Sequence, residues 1–446
     1  MARPGALSGF PEWLPRERIV EQHVLDVLRR TFELHGFSSL ETRAVEPLAQ
    51  LQSKGEVDKE VYVLRRLHAG EGDGDSGLGL HFDLTVPFAR YVLERSGHLE
   101  FPYRRYQIQK VWRGERPQEG RYREFLQADI DVVDRDVLPF HYEVELPLVV
   151  GEALTALPFP PVTILVNNRK LVEGFARGVG ATDTAAVLRA VDKLDKIGPD
   201  NVRGLLVDAG LSAAGAEACL AMAGISAADA SFAERVTALG VTDPLLDEGL
   251  AELVRVVESA EEQRPGLVRA DLKIARGLDY YTGTVYETVM HGHADLGSVC
   301  SGGRYDALAS DGRSSYPGVG ISLGVSRVLG RLFAAGQLTA SRSVPTAVLV
   351  AVVDEDHRDE STRVAAALRA RGVPVEVAPA AAKFGKQIRH ADRRGVPWVW
   401  FPDEGGHSVK DLRTGEQTPA DPASWLPPEA DLRPAVLLAP AKESSP

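Results

Sequence analysis

The sequence predicts an α+β protein of more than one domain, and three observations lead to this class. Pairs of strand-like segments joined by polar loops dominate the first third of the chain and return after its middle. A helical stretch rich in alanine and leucine separates these two parts, and the last part alternates short apolar strands with helices. A chain of 446 residues, 44% of them hydrophobic, is long enough to form two or three cores.

Charge and cysteine content narrow the class of protein. The formal net charge is −12, so binding to a nucleic acid would require a local basic patch. Two cysteines, Cys219 and Cys300, are too few for a disulfide framework or a thiolate zinc site. No apolar run approaches the roughly 18 residues that a membrane span requires. We therefore expect a cytoplasmic protein that does not enter a membrane.

Periodicity predicts the main elements of the first part. IVEQHVLDVLRRTFELHGF has the apolar spacing of an amphipathic helix that ends at His35 and Gly36. VYVLRRL with GLHFDLTVPF, and YRRYQIQKVWRGE with REFLQADIDVV, indicate two pairs of strands, each joined by a loop. LPFHYEVELPLVVGEALTAL predicts a buried helix, and PPVTILVNN predicts another strand.

Changes in composition predict the domain boundaries. Residues 1–167 and 264–336 share the strand-rich, aromatic pattern and form one domain in two parts. The helical segment 168–263 is inserted between them. After AAGQLTASRSVP, residues 344–440 follow the order β, α, β, α, β, which predicts a separate α/β domain.

A basic loop lies within the second pair of strands. Residues Arg104 to Arg123 carry seven basic side chains and two acidic ones. Arginines hold phosphate oxygens through paired, charge-assisted hydrogen bonds, so this loop suits a polyphosphate or RNA. A solvated charged hairpin is the alternative interpretation, although Gly114, Pro117 and Gly120 give the loop a defined shape.

The strand after this loop presents a row of polar side chains. In QADID, Gln127, Asp129 and Asp131 share one face because side chains alternate along a strand. Asp83 and Thr85 in FDLT share a face in the same way. Carboxylates are costly to bury without a partner, so the two strands predict a pocket for an ammonium or imidazole group. A structural network with nearby arginines is the alternative.

Two glycine-rich segments complete the candidate site. In PGVGISLGVSRVLGRL, glycines and Ser322 alternate with apolar residues, which leaves a bare strand face for a flat ligand, and Arg327 follows in the first turn of a helix. In RGLDYYTGTVYE, glycines flank Asp279 and Tyr281, as in the wall of a pocket. Close strand packing and a barrel-edge strand are the alternatives. The sequence has neither a P-loop nor GxGxxG in a βαβ setting, so these motifs would not bind ATP here.

Together these segments resemble the class II aminoacyl-tRNA synthetases, and most closely the histidyl-tRNA synthetase family, over nearly the whole chain. WRGERPQEGRYREF is similar to the second signature motif of the class, and PGVGISLGVSRVLGRL to the third. RGLDYYTGTVYE and SVCSGGRYD are similar to the two histidine-specific motifs. The resemblance implies an antiparallel six-stranded sheet with flanking helices, a helical insertion, and a C-terminal α/β anticodon-binding domain. It also implies a homodimer that joins L-histidine to tRNA(His), with ATP as substrate and Mg²⁺ as cofactor.

The resemblance further implies roles for individual residues. Arg113 and Arg276 are the implied catalytic residues, and Arg276 stabilises charge on the α-phosphate while the histidine carboxylate attacks. The residues implied to bind histidine are Asp83, Leu84, Thr85, Arg113, Gln127, Asp131, Arg276, Tyr280, Tyr281 and Tyr305. Those implied to bind ATP are Arg113, Glu115, Arg121, Phe125 and Arg327. Arg116 and Gln118 are implied to contact the tRNA acceptor end, whereas the resemblance assigns no metal ligand.

Two positions depart from the family pattern, and two other functions are considered. Arg43 stands where the first motif usually has proline, and Asp83 where many bacterial members have glutamate.

The second hypothesis is a non-catalytic regulatory subunit of ATP phosphoribosyltransferase, and the third is a generic RNA-binding protein. The regulatory relatives generally lose the phosphate-binding arginines, whereas Arg113, Arg276 and Arg327 are present here. Adenylate formation requires positioning and charge stabilisation, which arginines supply.

Overall fold

The protein divides into two compact units in a computed structural model that describes residues 5–52, 60–67, 77–274, 281–310, 312–402 and 406–439. Unit 1 comprises residues 1–11 and 26–331, and unit 2 comprises residues 12–25 and 332–446. The helical segment 168–263 therefore belongs to unit 1. Its two boundaries within that unit remain predictions.

Helices and strands of the described residues follow in chain order. The helices are α1 Pro15–Leu34, α2 Leu48–Leu51, α3 Thr85–Arg95, α4 His141–Thr155, α5 Arg169–Gly178, α6 Thr184–Val191, α7 Leu194–Asp208, α8 Ala213–Ala223, α9 Ser231–Thr237, α10 Pro244–Gln263, α11 Val325–Ala334, α12 Arg358–Ala370 and α13 Phe384–Arg394. The strands are β1 Ser38–Ser39, β2 Val45–Pro47, β3 Leu78–Leu80, β4 Tyr103–Trp112, β5 Glu124–Val133, β6 Val162–Asn168, β7 Ser226–Ala227, β8 Val268–Asp271, β9 Thr284–Met290, β10 Cys300–Tyr305, β11 Gly318–Gly324, β12 Leu338–Ala340, β13 Val348–Val350, β14 Val375–Val377, β15 Trp398–Phe401, β16 Ser408–Asp411, β17 Gln417–Pro419 and β18 Val436–Leu438.

A large sheet forms the centre of unit 1. In the described residues it has nine strands in the order β1-β4-β5-β11-β10-β9-β6-β8-β7. The six strands from β4 to β6 in this order are antiparallel throughout. This confirms the predicted six-stranded antiparallel sheet. The parallel neighbours β1 and β8 extend it at either side, and β7 pairs with β8.

The longest strand pair of this sheet carries the predicted basic and acidic segments. β4 and β5 pair along ten residues each, from Tyr103 opposite Val133 to Trp112 opposite Glu124. β5 is buried from Gln127 to its end, because β4 and β11 cover both of its edges and α4 contacts β11. The buried helix predicted around α4 is confirmed, with Leu146 and Val149 fully buried.

The strand predicted through GLHFDLTVPF is wrong for its second half. β3 ends at Leu80, and the helix α3 begins at Thr85. Asp83 Oδ1 accepts a hydrogen bond of 3.0 Å from the backbone N–H of Val86, which satisfies one of the free donors of the first helical turn. Pro87 also fits this first turn, where its missing N–H costs nothing. Local capping therefore overrides the apolar alternation that suggested a strand.

The segment between β6 and β8 packs as a group of helices. In the described residues it comprises α5 to α10 and the short strand β7. Two glycines allow α5 and α10 to pack closely. A Cβ atom at Gly174 would lie 2.1 Å from the backbone nitrogen of Leu246, and one at Gly249 would lie 2.2 Å from that of Leu171. Any larger side chain at either glycine would therefore separate the two helices.

The C-terminal part of unit 2 has the predicted α/β order. β13, α12, β14, α13 and β15 follow one another, and β13 pairs in parallel with both β14 and β15. β16 and β17 add antiparallel strands at one edge. Trp400 is fully buried in one core cluster of this unit, beside Val348 and Leu368. In neither unit does a described helix have the length and apolarity that crossing a bilayer would require.

Candidate active site

One face of the six-stranded sheet carries rows of polar and glycine residues, because residues opposite each other on paired strands lie on the same face. The first row, read from β4 to β10, contains Arg105, Asp131, Gly320 and Gly303. The second row contains Gln107, Asp129, Ser322 and Ser301. The third row, read from β4 to β11, contains Gln109, Gln127 and Gly324. These rows form the floor of two clefts.

The smaller cleft lies over the first two rows. Its volume is about 20 Å³, room for about one water molecule, so a larger ligand requires side chains of the cleft to move apart. It is lined by Thr85, Asp129, Asp131, Tyr281, Ser301, Tyr305, Gly320, Ile321 and Ser322. Two neighbours fix the Asp131 carboxylate at one end. The Tyr305 hydroxyl donates a hydrogen bond of 2.7 Å to Oδ1, and Arg105 Nη2 lies 2.7 Å from Oδ2. Arg105 is fully buried, with its guanidinium carbon 4.4 Å from the centre of the Phe88 ring.

The glycines of β11 make room for the side chains of this end. A Cβ atom at Gly320 would lie 2.0 Å from Asp131 Oδ1, and one at Gly318 would lie 2.5 Å from the Tyr305 ring. The bare strand face that the sequence predicts for a flat ligand is therefore partly filled by Asp131 and Tyr305. It is open to a ligand chiefly at Ser322 and Gly324, which line the larger cleft.

Asp129 is a second buried carboxylate in the smaller cleft. The residue is 2% exposed, and its pKa is raised to about 7, first by burial and further by the charges of Asp131 and Asp83. Arg105 and the Ser322 hydroxyl lower the pKa, but not enough to offset burial. In the described part of the chain, Oδ1 of Asp129 has no hydrogen-bond partner.

The larger cleft adjoins the smaller one and shares Ser301 and Ser322 with it. Its volume is about 260 Å³, and it is lined by Arg113, Glu115, Gly120, Arg121, Tyr122, Phe125, Gln127, Ser298, Val299, Ser301, Ser322, Gly324 and Arg327. Arg113 donates from Nε to the backbone oxygen of Phe82 at 3.0 Å, and its guanidinium carbon lies 5.2 Å from the centre of the Phe125 ring. These contacts hold the guanidinium in the wall of the cleft.

The loop between β4 and β5 is a shaped hairpin. Gln118 and Arg121 exchange two backbone hydrogen bonds of 3.1 and 2.9 Å. Gly120 has a φ of +71°, and a Cβ atom there would lie 2.5 Å from the Leu296 side chain. Arg116 and Gln118 are exposed and do not line either cleft. The alternative of an unshaped, solvated hairpin is therefore disfavoured for the part around Gly120.

Arg327 enters the larger cleft from the first turn of α11, as the sequence predicts. It donates from Nη2 to the backbone oxygen of Leu296. Ser326 fixes the start of the helix against the sheet, since its hydroxyl accepts a 2.9 Å hydrogen bond from the N–H of Leu126. The third predicted segment is thus strand followed by helix, with its arginine at the junction.

The described residues give the two clefts opposite charge. In this part of the chain, three arginines and one glutamate line the larger cleft, which suits a polyphosphate. Two carboxylates among the described residues line the smaller cleft, and the guanidinium of Arg105 lies beneath them, which suits a ligand with an ammonium or imidazole group. In the described residues, no group of three or more histidine, cysteine or acidic side chains is placed to hold a metal ion.

The structure places most, but not all, of the predicted residues in these clefts. Every residue implied to bind ATP lines the larger cleft, together with Gln127. The smaller cleft takes Thr85, Asp131, Tyr281 and Tyr305 from the residues implied to bind histidine. Asp83 and the fully buried Leu84 precede Thr85 at the start of α3 and line neither cleft. Arg276 and Tyr280 lie outside the described residues.

Several lining residues were not among those that the resemblance implies. Asp129 lay on the predicted polar face of its strand, so alternation alone would have found it. Ser301 and Ser322 also lie in glycine-rich segments that the sequence singles out. Arg105 gave no such signal, because its contact with Asp131 depends on the register of β4 against β5. Tyr281 precedes β9, so the strand predicted to carry its face begins only at Thr284.

The fold and the site together define a class of protein. The resemblance to class II aminoacyl-tRNA synthetases implies three features: an antiparallel six-stranded sheet, a basic hairpin, and a glycine-rich strand that leads into an arginine-bearing helix. All of them are present in unit 1.

Comparisons with known proteins identify the family. The family model described as histidyl-tRNA synthetase matches residues 9–328, and that of an anticodon binding domain matches residues 347–421. The histidine–tRNA ligase of Cutibacterium acnes is 60% identical, over 98% of this chain and 99% of that protein. The corresponding ligase of Micrococcus luteus is 59% identical, over 98% of this chain and all of that protein. The crystal structure of histidyl-tRNA synthetase from Nostoc sp. PCC 7120 is 33% identical and superposes with a TM-score of 0.84, covering 93% of this chain and 96% of that one. The chain belongs to the histidyl-tRNA synthetase family.

Proposed function

We propose that this chain joins L-histidine to tRNA(His) in two steps. In the first step, a histidine carboxylate oxygen attacks the α-phosphorus of ATP, and pyrophosphate leaves. In the second, the histidyl group passes from the adenylate to the 3′ end of the tRNA, and AMP leaves. The observation that carries this proposal is the opposite charge of two adjoining clefts, one suited to the triphosphate and the other to the amino acid.

The positions of the side chains support a role for each cleft in the first step. Asp131 is held by Tyr305 and Arg105 at the end of the smaller cleft, where it accepts a hydrogen bond from the imidazole ring. Arg113 lines the larger cleft and neutralises charge on the α-phosphate as the new bond forms. This arrangement supplies alignment and charge stabilisation, and the substrate itself supplies the nucleophile.

The remaining residues of the larger cleft bind the rest of ATP. Phe125 stacks on adenine and Glu115 lies beside it, while Arg121 and Arg327 hold the γ-phosphate. Mg²⁺ would enter as a complex with ATP and would neutralise charge on the phosphates. Glu115 is the one carboxylate among the described residues of this cleft that could add a ligand to it. Arg276 also stabilises the α-phosphate in this proposal, on the strength of the sequence resemblance.

The second step requires tRNA, which the proposal assigns to two surfaces. Arg116 and Gln118, exposed on the hairpin beside the larger cleft, contact the acceptor end. The part of unit 2 that matches the anticodon binding domain contacts the anticodon. A homodimer and a cytoplasmic location complete the proposal. The homodimer follows from the family resemblance, and the cytoplasmic location follows from the use of tRNA as a substrate.

A regulatory role in ATP phosphoribosylation is less well supported. A protein described as an ATP phosphoribosyltransferase regulatory subunit/histidyl-tRNA synthetase, from Bacillus halodurans, superposes with a TM-score of 0.71. At 18% identity this likeness shows a shared fold and no more. The three arginines of the larger cleft would have no evident use in a histidine sensor that binds no triphosphate.

Exchange of radioactive pyrophosphate into ATP tests the first step without tRNA. With pure protein, MgATP and each of the twenty amino acids in turn, we expect exchange with histidine alone. Arg113→Ala should reduce exchange by roughly a hundredfold or more, the size of effect seen on losing one preorganised donor to a developing charge. Arg116→Ala is the matched control, since it should preserve exchange and reduce only charging of tRNA. A wild-type protein without histidine-dependent exchange would refute the proposal.

A further inference from the structure

We propose that Asp129 is a substrate-binding residue of the smaller cleft, where its carboxylate receives the α-ammonium group of histidine. The inference rests on the proposed function and deepens it. Among the residues that the family resemblance implied for histidine are Asp83, Thr85 and Gln127, but not Asp129.

The position of Asp129 in the sheet favours contact with the ammonium group. Asp131 and Tyr305 are joined by a hydrogen bond and line the cleft together, which suits the ring. The substrate carboxylate must reach the larger cleft, where the α-phosphate binds, so the α-carbon lies between these two points. Asp129 is one row closer to the larger cleft than Asp131, about 7 Å along the strand for two residues. Its row therefore lies beneath the α-carbon of the bound amino acid.

The hydrogen bonds of the cleft leave Asp129 available for a ligand. Its Oδ1 has no hydrogen-bond partner in the described residues, and the residue is buried, with 2% of its surface exposed. Asp83, by contrast, uses Oδ1 to cap α3 through the N–H of Val86. A buried carboxylate oxygen without a donor is costly unless a ligand completes its coordination or a proton neutralises it.

A purely structural role as the partner of Arg105 is the competing explanation. Arg105 Nη2 lies 2.7 Å from Asp131 but 4.0 Å from Asp129, so its charge mainly compensates Asp131. Its other amino group is 3.4 Å from Gln107 Oε1, and its ring contact is with Phe88. In the described residues, Arg105 carries the one guanidinium that lies close to both carboxylates. Its charge therefore leaves Asp129 incompletely neutralised.

The groups around Asp129 set its protonation state in the empty cleft. They are Arg105 from β4, Asp131 from its own strand, Ser322 from β11, Cys300 from β10, and Asp83 from the segment before α3. Burial raises the Asp129 pKa to about 7, and it raises the pKa of the Cys300 thiol to about 12, so that thiol stays neutral. Because this pKa is close to neutrality, Asp129 is partly protonated in the empty cleft at neutral pH.

The direction of the proton transfer follows from charge. An ammonium group against Asp129 favours the carboxylate over the carboxylic acid, so the Asp129 pKa is lower in the complex than in the free protein. Binding then releases the proton to solvent at any pH between these two pKa values. The release should therefore be larger below the Asp129 pKa of the empty cleft than above it, where the carboxylate is already ionised.

Isothermal titration calorimetry of the full-length protein measures this release. The ligand is titrated without ATP in two buffers of different ionisation enthalpy, and the difference in heat gives the number of protons exchanged. Histidine is one probe, and 1,2,4-triazolylalanine is the second, because its ring is not protonated near neutral pH and cannot supply the proton. We expect the release with both probes. A wild-type protein that releases no proton with the triazole analogue would overturn the proposal.

Two variants assign the proton to its residue. Asp129→Asn should abolish the release and raise the Kd by roughly tenfold to a hundredfold, as removal of a charge-assisted hydrogen bond does. Asp134→Asn is the matched control, because it makes the same change just beyond the end of β5 and outside both clefts. It should release protons as the wild type does. Undiminished release by a folded Asp129→Asn protein would overturn the assignment.

The wild-type protein provides a test that does not depend on the folding of a variant. Its affinity for the triazole analogue should increase up to about tenfold per pH unit from pH 5.5 towards the Asp129 pKa, and then level off. A flat profile would contradict the proposal. Pyrophosphate exchange distinguishes failure of this proposal from failure of the proposed function. A protein that is active in exchange but releases no proton would refute only the role of Asp129. Proton-linked histidine binding without exchange would instead refute ligation.

Discussion

At the scale of single residues, the glycines of β11 decide where the carboxylate of the smaller cleft can lie. Gly320 has no side chain, and the space that a Cβ atom would occupy is taken by Asp131 Oδ1. The hydrogen bond from Tyr305 and the contact with Arg105 both depend on this position of Asp131. The absence of a methyl group at Gly320 therefore leaves room for the Asp131 carboxylate at the end of the cleft that we assign to the imidazole ring.

Gly320→Ala should weaken use of histidine much more than use of ATP. The added methyl displaces the Asp131 carboxylate, and overpacking of this kind costs about 1–3 kcal/mol. We expect the KM for histidine in pyrophosphate exchange to rise roughly tenfold, with a small change in the KM for ATP. Gly204→Ala in α7 is the control, since no atom lies within 4 Å of the new methyl group, and it should behave as wild type. Equal losses for both substrates would show that the substitution disturbs the whole sheet.

At the scale of elements, α11 ties the basic hairpin to the turn before β10. Arg331 lies one helical turn after Arg327 and contacts three side chains. Its distances are 2.6 Å to Glu119 Oε1 on the hairpin, 2.8 Å to Asp295 Oδ2, and 3.2 Å to His293 Nδ1. Each ion pair is partly exposed and stabilises little by itself. Together they bridge two segments that border the larger cleft.

Arg331→Met should loosen the hairpin without unfolding the protein. We expect faster hydrogen exchange of backbone amides in residues 114–121 and a KM for ATP that rises a few-fold, because exposed ion pairs contribute about 0.2–1 kcal/mol each. Arg203→Met in α7 removes ion pairs with Asp200 and Glu217 far along the chain and serves as the control. Hairpin exchange that is unchanged in Arg331→Met would show that the sheet alone shapes this loop.

The same scale shows where local sequence signals succeed and where they fail. Alternation in QADID correctly placed Gln127, Asp129 and Asp131 on one face, because β5 is regular along its ten residues. Alternation in FDLTVPF failed, since the Asp83 cap and a proline in the first turn start a helix. Alternation with a period of two residues therefore predicts a strand reliably only where no side chain caps the start of a helix instead.

At the scale of the whole molecule, the net charge of −12 opposes the approach of RNA, so binding must depend on local basic surfaces. One candidate is the exposed face of α13 and the residue before it. The basic side chains of this surface are Lys383, Lys386, Arg389 and Arg393. Gln387 and Ala391 on the opposite side of the helix are buried. A solvated helix face without RNA contacts is the alternative.

Replacing these four residues with glutamine tests the surface. If they meet tRNA phosphates, the slope of log K against log salt concentration should become shallower by roughly one for each phosphate that is no longer neutralised. Pyrophosphate exchange needs no tRNA and should be unchanged, which is the internal control. A salt slope equal to that of the wild type would identify the face as merely solvated.

Much of this protein was determined by local sequence. The α+β class, the C-terminal α/β order and the polar face of β5 follow from periodicity, and the family follows from four short motifs; the relatives confirm it. These features are readable because each depends on residues a few positions apart. Only the tertiary structure showed that Arg105 lies against Asp131 and that Tyr305, 174 positions away in the chain, donates to the same carboxylate. It also showed that Arg331 contacts Glu119, which lies 212 positions earlier. Such contacts, and the protonation of Asp129 that depends on them, are set by strand register and burial, which no local pattern records.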